Sequence, residues 1–158
     1  MAAALIGAKA ALLLGPYLLV TLRDDRPDIV CPNMWDLPGG GLEGAETPRD
    51  TIIRETREEV GLDLSATRPL WARLFPSAHQ AGAVTAFYVI ALPREAIAQI
   101  RMGDEGQGWR LVTPEAYRAL PDAVPYLRER YFLWHDGPRR MTAPWEEGLW
   151  KPGSPTTA

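Results

Sequence analysis

The sequence has a single cysteine, Cys31, among 158 residues, which excludes an intramolecular disulfide. A reducing cytoplasm is the compartment this implies. It has no excess of positive charge: 17 Lys and Arg stand against 20 Asp and Glu, giving a net charge of −3. No general positive field is therefore available to hold nucleic acid or an anionic membrane. Lysine is almost absent; Lys9 and Lys151 are the two, and the other basic residues are arginine. No continuous run of about 20 apolar residues exists to form a membrane-spanning helix. Met1 to Val20 is apolar apart from Lys9 and has the composition of a signal peptide, but Gly15-Pro16 divides it into two strand-length pieces. Internal repeats and low-complexity tracts are also lacking. What is present is 46% apolar and 23% charged residues, the balance of a globular protein. A chain of this length hides roughly 70% of its unfolded surface, enough for one self-supporting core.

Patterning gives a coarse order of elements. Residues 8–14 and 17–23 read as strands around the Gly15-Pro16 turn. A polar loop follows, leading through Trp35-Asp36-Leu37-Pro38 into Gly39-Gly40-Gly41. Residues 48–60 read as a helix, with Thr47 as N-cap, Pro48 in the first position and Gly61 where a left-handed C-cap is wanted. Residues 70–75, 83–91 and 109–112 are expected to be strands. Short helices are expected near Ala96 and after Thr113-Pro114, and a longer one over residues 125–134. A mixed sheet with helices packed on it follows from this order. Residues 1–137 are expected to form a single domain, and residues 138–158, rich in Pro and Gly, a tail without an element. Its Trp145 and Trp150 are expected to dock on the domain or on a second subunit.

The helix over 48–60 carries charge in an unusual place. With Glu55 at angle zero and 100° per residue, Glu58 falls at about −60° and Glu59 at about +40°. Ile52, Ile53, Thr56 and Val60 form the apolar stripe beside them. Three carboxylates thus share one arc at the margin of the buried face, near a helix end that disfavours negative charge. Two carboxylates about 6 Å apart repel by about 3 kcal/mol at an effective dielectric of 20. Fully exposed pairs cost only about 0.2–0.5 kcal/mol. The arc is therefore either a solvated acidic face or a place for a hard divalent cation, Mg²⁺, Mn²⁺ or Ca²⁺.

From Gly40 the chain runs Gly40-x5-Glu46-x7-Arg54-Glu55-Thr56-x-Glu58-Glu59-x-Gly61-Leu62. This resembles the Nudix box, G-x5-E-x7-R-E-U-x-E-E-x-G-U with U apolar. Eight of nine specified positions match over 23 residues. The departure is Thr56, whose β-branch can still pack, so the expected cost is in stability and not in chemistry. The preceding Leu37-Pro38-Gly39-Gly40-Gly41 is similar to the family as well. The resemblance spans about residues 6–133 and implies an α/β/α sandwich with a mixed β-sheet and a loop-helix-loop catalytic motif.

The resemblance also implies an activity: hydrolysis of a nucleoside diphosphate linked to another moiety, by water attacking phosphorus with the help of Mg²⁺ or Mn²⁺. On that footing Glu55, Glu58 and Glu59 hold metal, with a backbone carbonyl from Gly39 or Gly40. Glu46 and Arg54 form a salt bridge that braces loop against helix. A further carboxylate is expected from a later loop, Glu105 or failing it Asp104, with glycines on both sides to let it swing. Glu105 and Glu58 are the candidates for general base. Arg23, Trp35 and Gly39 are candidates for substrate contact; Trp35 and Phe87 fit the core equally well. His79 and His135 read as loop and surface residues, and Cys31 lacks a dyad partner.

The expected substrate is a (d)NTP-type nucleotide, as for compact MutT-like members. The alternatives are an ADP-ribose-type nucleoside diphosphate sugar, suggested by Pro76 fourteen residues after Leu62, or a catalytically silent nucleotide-binding module. The three intact box glutamates argue against the last. The only asparagine, Asn33, precedes the box, which argues against recognition of 8-oxoguanine through a downstream asparagine. Partners are expected to be a small nucleotide, no nucleic acid and no membrane, with the chain a monomer or homodimer.

Overall fold

The computed structural model describes residues 2–138 and 147–153. Its strands are β1 (Ala4–Leu14), β2 (Tyr17–Leu22), β3 (Trp35–Asp36), β4 (Gly39–Gly41), β5 (Trp71–Pro76), β6 (Ala83–Leu92) and β7 (Gly108–Val112). Its α-helices are α1 (Pro48–Val60), α2 (Pro114–Arg118) and α3 (Pro125–His135). Arg94–Gln99 and Glu147–Trp150 form 3₁₀ turns. Among the described residues no helix is long and apolar enough to cross a membrane.

The strands make one mixed sheet in the order β3-β2-β1-β6-β5, with β4 also on β1 and β7 also on β2. β1 is the spine. It runs parallel to β6 from Ala4 opposite Ala83 to Leu14 opposite Leu92. It pairs with β2 only at Leu13–Leu18 and Leu14–Tyr17, and then takes β4 as its partner over Gly7–Lys9. The sheet therefore forks between β1 and β2, and the fork is where the candidate site opens.

Alternation along β1 sends its side chains to two cores. Ala8, Ala10, Leu12 and Leu14 pack with Ile52 and Val60 of α1. Ala11 packs on the other face with Phe87, Val89 and the α3 residues Leu127, Tyr131 and Trp134. Helices thus cover both faces, the α/β/α arrangement expected. Phe87 is fully buried there, so of its two possible roles it takes that of a core residue.

Three differences from the sequence reading have physical causes. β1 begins at Ala4 instead of residue 8, because β6 supplies a parallel partner that periodicity cannot reveal. The stretch read as a loop into the glycines contains β3 and β4, each held by pairing to a long strand. The segment beyond Gly137 is not without an element: Glu147–Trp150 forms a 3₁₀ turn. Leu149 there is buried, and Trp150 stands edge-on to Tyr88 at 5.1 Å. The Trp150 Nε1 donates to the Thr67 carbonyl at 3.1 Å, and the Tyr88 hydroxyl donates to the Leu149 carbonyl. Thr47 Oγ1 donates to the Lys151 carbonyl at 2.8 Å, and the Gly153 amide donates to Asp50 Oδ2 at 2.9 Å. These residues strap the start of α1. Trp145 lies outside the described residues.

Candidate active site

α1 starts where the sequence says it should. Thr47 Oγ1 accepts from the Asp50 amide at 3.2 Å and Asp50 Oδ2 accepts from the Thr47 amide at 3.0 Å, a reciprocal capping box. The helix ends on Gly61 in the left-handed region, φ 73°. Between these ends, the buried stripe of Thr51, Ile52, Thr56 and Val60 fixes the rotation of the helix. That rotation turns Glu55 and Glu59 into a cleft of about 450 Å³ at the fork of the sheet.

Gly40 of β4 lies against Glu55. A Cβ at Gly40 would fall 2.6 Å from Glu55 Oε1, and one at Gly39, which has φ 138°, would fall 2.1 Å from the Ala8 carbonyl oxygen, so the strand that brings Gly40 against the carboxylate needs glycine at position 39. Glu59 is deeper. Burial, then the neighbouring Asp36 and Glu55 carboxylates, push its carboxyl up to about 8, while nearby Lys9 opposes the shift. It shares a hydrogen bond with Glu55.

Arg54 organises the remaining box residues. Its Nε donates to Glu46 Oε1 at 2.5 Å and its Nη2 to Glu46 Oε2 at 3.1 Å, a bidentate pair. Its Nη2 also donates to the Gly41 carbonyl at 3.1 Å, and its Nη1 donates to Glu55 at 3.0 Å and to Glu58 at 3.2 Å. Thr51 Oγ1 donates to Glu46 at 2.7 Å. The Arg54 guanidinium and these hydrogen bonds pull the Glu46 carboxyl down to about 2. One guanidinium thus ties the loop before α1 and the glycine strand to the helix.

The floor of the fork is a cation pair around one carboxylate. Lys9 Nζ donates to Asp36 Oδ2 at 2.9 Å, to the Leu37 carbonyl at 3.1 Å and to the Gly39 carbonyl at 3.2 Å. Arg23 Nη1 donates to the same Asp36 oxygen at 2.9 Å and Arg23 Nε to the Val30 carbonyl at 2.8 Å. Burial alone would lower the Lys9 ammonium, but Asp36 and Glu59 hold it above its ordinary value. All three Lys9 protons are used, and two of them pin the turn that delivers the glycines.

Glu105 lines the same cleft. Its loop is tethered at both ends. The Gly103 amide donates to the Glu59 carbonyl at 3.0 Å, and a Cβ at Gly103 would sit 2.0 Å from the Glu58 carbonyl oxygen. On the other side, the Gln107 amide donates to the Leu22 carbonyl at 2.8 Å and Gln107 Nε2 to the Arg23 carbonyl at 2.7 Å. Gly103 is thus required by its close approach to the end of α1.

The sequence profile of the NUDIX domain matches residues 7–134. The chain belongs to the Nudix family. A Nudix hydrolase domain is a pyrophosphohydrolase of phosphoric anhydrides, and this chain carries one. Among curated relatives, a nucleoside triphosphatase NudI of Enterobacter sp. (strain 638) is 45% identical over 60 residues, covering 37% of this chain and 40% of that protein. A nucleoside triphosphatase NudI of Escherichia coli is 32% identical over 108 residues, covering 64% of this chain and 75% of that protein. Among solved structures, a MutT protein from Methanosarcina mazei Go1 superposes with a TM-score of 0.67 at 17% identity, covering 85% of this chain and 95% of that one. That likeness is one of fold.

The Nudix cleft gathers Arg23, Gly39, Gly40, Glu55, Glu59 and Glu105 of the residues singled out from sequence. Glu46 and Arg54 stand behind it as the brace. Glu58 does not line it; its side chain is 60% exposed and turned to Arg54. Trp35 does not line it either. Its ring lies under the Arg110 guanidinium at 4.5 Å, and its backbone pairs with β2 and Ala123. His79, read as an ordinary loop residue, lines the cleft and its Nε2 meets the Tyr126 hydroxyl at 3.1 Å. The cleft also contains Lys9, Asp36, Tyr126 and Arg130, which sequence reasoning did not single out. A lysine inside an apolar strand, in a chain with two lysines, was the signal for Lys9.

The donors fit a hard divalent cation. Glu55 and Glu59 present paired carboxylate oxygens beside the Gly40 backbone, with no sulfur or imidazole among them. Among the described residues no three His, Cys, Asp or Glu side chains are already gathered around one point. Glu58 completes a set only by rotating away from Arg54, which its exposure permits.

Proposed function

We propose that this Nudix domain hydrolyses a (d)NTP-type nucleotide to the nucleoside monophosphate and pyrophosphate. The observation that carries the reading is the pair Glu55 and Glu59, turned by α1 into a cleft of nucleotide size beside a strand that only glycine can form. The nucleoside triphosphatase relatives support the substrate class. Nudix enzymes generally use divalent metal, and we assign Glu55, Glu58, Glu59 and the Gly40 backbone carbonyl to holding Mg²⁺, with Mn²⁺ as a substitute. When bound, such an ion neutralises phosphate charge and lowers the pKa of a coordinated water.

The chain's own residues do the rest. Arg54 and Glu46 keep the helix and the glycine strand in register, so the carboxylates meet the anhydride at a fixed distance. Arg23, held on Asp36, offers its remaining N–H groups to a phosphate oxygen, and the Gly39–Gly40 backbone lies flat enough for the phosphate chain to pass. Glu105 takes the proton as the water oxygen bonds to phosphorus and the bridging P–O bond breaks, the pyrophosphate leaving with the electron pair. Glu105 is favoured over Glu58 as base because it lines the cleft and Glu58 does not. The cytoplasm suits a chain whose only cysteine, Cys31, is unpaired. A panel of dNTPs, ADP-ribose and dinucleoside polyphosphates, assayed with Mg²⁺ or Mn²⁺, tests the reading. Monophosphate and pyrophosphate released from triphosphates in stoichiometric amounts is the expected result; turnover of ADP-ribose alone, or of no compound, overturns it.

A further inference from the structure

The cleft has a second wall that the hydrolytic chemistry does not use. Arg130 of α3 is 7% exposed, yet it lines the cleft. Its Nη1 donates to Thr85 Oγ1 at 3.0 Å and its Nη2 to the Pro76 carbonyl at 2.9 Å. Among the described residues no carboxylate pairs with it, although a guanidinium is almost never this deeply buried without one. The Phe75 and Tyr126 rings lie 4.8 and 5.0 Å from its central carbon. Rings flanking the guanidinium this closely interact with its charge without taking up its N–H groups. Two of its five N–H groups are placed, so three remain.

The composition of this wall is one-sided. All the carboxylates of the cleft, Asp36, Glu55, Glu59 and Glu105, come from α1, β3 or the loop after residue 102. The wall formed by α3, the β5–β6 loop and the start of β6 contributes Ser77, His79, Gln80, Thr85, Tyr126 and Arg130, with no acid among them. One main-chain acceptor at its edge, the Pro76 carbonyl, is already taken by Arg130. Register fixes the spacing. Thr85 stands opposite Gly7, and Gly7 stands opposite Gly41. The anchor of Arg130 is therefore two strand spacings, about 10 Å, from the glycine strand. That separation is within the reach of a nucleotide whose phosphates lie at Gly39–Gly41 and whose base points to the α3 side of the cleft.

We propose that Arg130, with the donor-rich wall around Tyr126 and His79, binds the nucleobase and selects bases that present a carbonyl edge, guanine and uracil or thymine, over the amino-edged adenine and cytosine. This rests on the proposed reading of the cleft as a nucleotide hydrolase. The physical reason is polarity matching at one position of the base: a fork of N–H donors pairs with O6 and N7 of guanine or O4 of uracil and thymine, and meets the amino group that adenine and cytosine carry at that position donor to donor. A good bidentate pair discriminates by about tenfold or more.

The test measures binding without turnover. The affinities of dGMP, dTMP, dAMP and dCMP for the intact protein are read by calorimetry in Mg²⁺ buffer. At least tenfold tighter binding of dGMP or dTMP than of both dAMP and dCMP is expected. Arg130→Met removes the donors with similar bulk and is expected to reduce that ratio below about threefold. Arg130→Lys keeps the charge without the fork and is expected to lose the ratio as well. Equal affinities in the unaltered protein overturn the proposal, and so does an unchanged ratio in Arg130→Lys, which would assign the cation a purely electrostatic part. If Arg130→Met does not fold, the unaltered protein and Arg130→Lys still decide. Failure of the hydrolytic reading looks different: the base preference persists while no triphosphate is turned over.

Discussion

The two walls of the cleft are built by opposite means. The acidic wall centres on 23 consecutive residues, Gly40 to Leu62, in which one helix presents Glu55 and Glu59 and the Arg54 guanidinium ties Glu46, Glu55 and the glycine strand together. The donor wall is assembled from Ser77–Gln80, Thr85, Tyr126 and Arg130, segments that meet only when β6 lies parallel to β1 and α3 packs across it. The first wall crowds carboxylates together, one of them, Glu59, raised to about 8 and hydrogen-bonded to Glu55. The second carries a buried cation with no acid beside it. Chemistry is thus placed on a locally encoded unit, and recognition on one that the whole fold must assemble.

Substitutions that strike one wall and spare the other sharpen this contrast. Glu59→Gln is expected to have the largest effect, lowering kcat by about a thousandfold, equivalent to about 4 kcal/mol of barrier. Asp63→Asn, at an exposed acid paired with Arg57 at 3.0 Å just past the helix, is expected to leave kcat within about twofold of the unaltered protein. Steady-state kinetics on the same triphosphate compares them. Glu46→Gln breaks the bidentate brace, which is expected to cost about 1.5–3 kcal/mol in chemical denaturation. Because Glu46 is held at about 2, its contribution is complete above the ordinary value of 4.5 and is lost as pH falls from 4.5 through 2. The Glu46→Gln variant should therefore show a shallower acid decline.

Two smaller effects test the scaffold under the acidic wall. Trp150→Ala removes the ring on Tyr88 and the bond to Thr67, and is expected to cost about 2 kcal/mol. That lowers Tm by about 4–8 °C with kcat unchanged. Thr56 is fully buried and its hydroxyl has no hydrogen-bond partner among the described residues. Thr56→Val, the aliphatic that the Nudix pattern wants, is expected to gain about 1 kcal/mol, or 2–4 °C in Tm.

Legibility from sequence follows the same division. α1, its caps and the direction of Glu55 and Glu59 were readable because helix periodicity, Thr47, Pro48 and Gly61 are all local signals. The brace of Glu46 and Arg54 was readable through the family pattern. The turn of Glu58 toward Arg54 was not, since an exposed side chain carries no local signal of the partner it takes. β3 and β4 were missed because two or three residues show no alternation, and they exist only through their partners. Arg130, Tyr126 and His79 gave no signal, because an arginine on a helix reads as a surface residue until Thr85 and Pro76 are known to face it. Trp35 was misdirected by type: an aromatic before a glycine loop suggests stacking on a base, but β3 aims it under Arg110.

The claim that Glu55 and Glu59 hold a divalent cation is tested most directly by the thermal shift that Mg²⁺ or Mn²⁺ produces. Glu59 is raised to about 8, so the metal-free folded state binds its proton more tightly than the unfolded chain. Stability from this group is complete below the ordinary 4.5 and is lost as pH rises through 8. At pH 8 and a metal concentration a hundred times Kd, the unaltered protein should gain about 2.7 kcal/mol, a rise in Tm of about 5–10 °C. Glu59→Gln should lose most of that rise and the alkaline decline together, while Glu105→Gln keeps both and loses rate. A Glu59→Gln protein with the full metal-induced rise would contradict the assignment and make the acidic arc a solvated helix face.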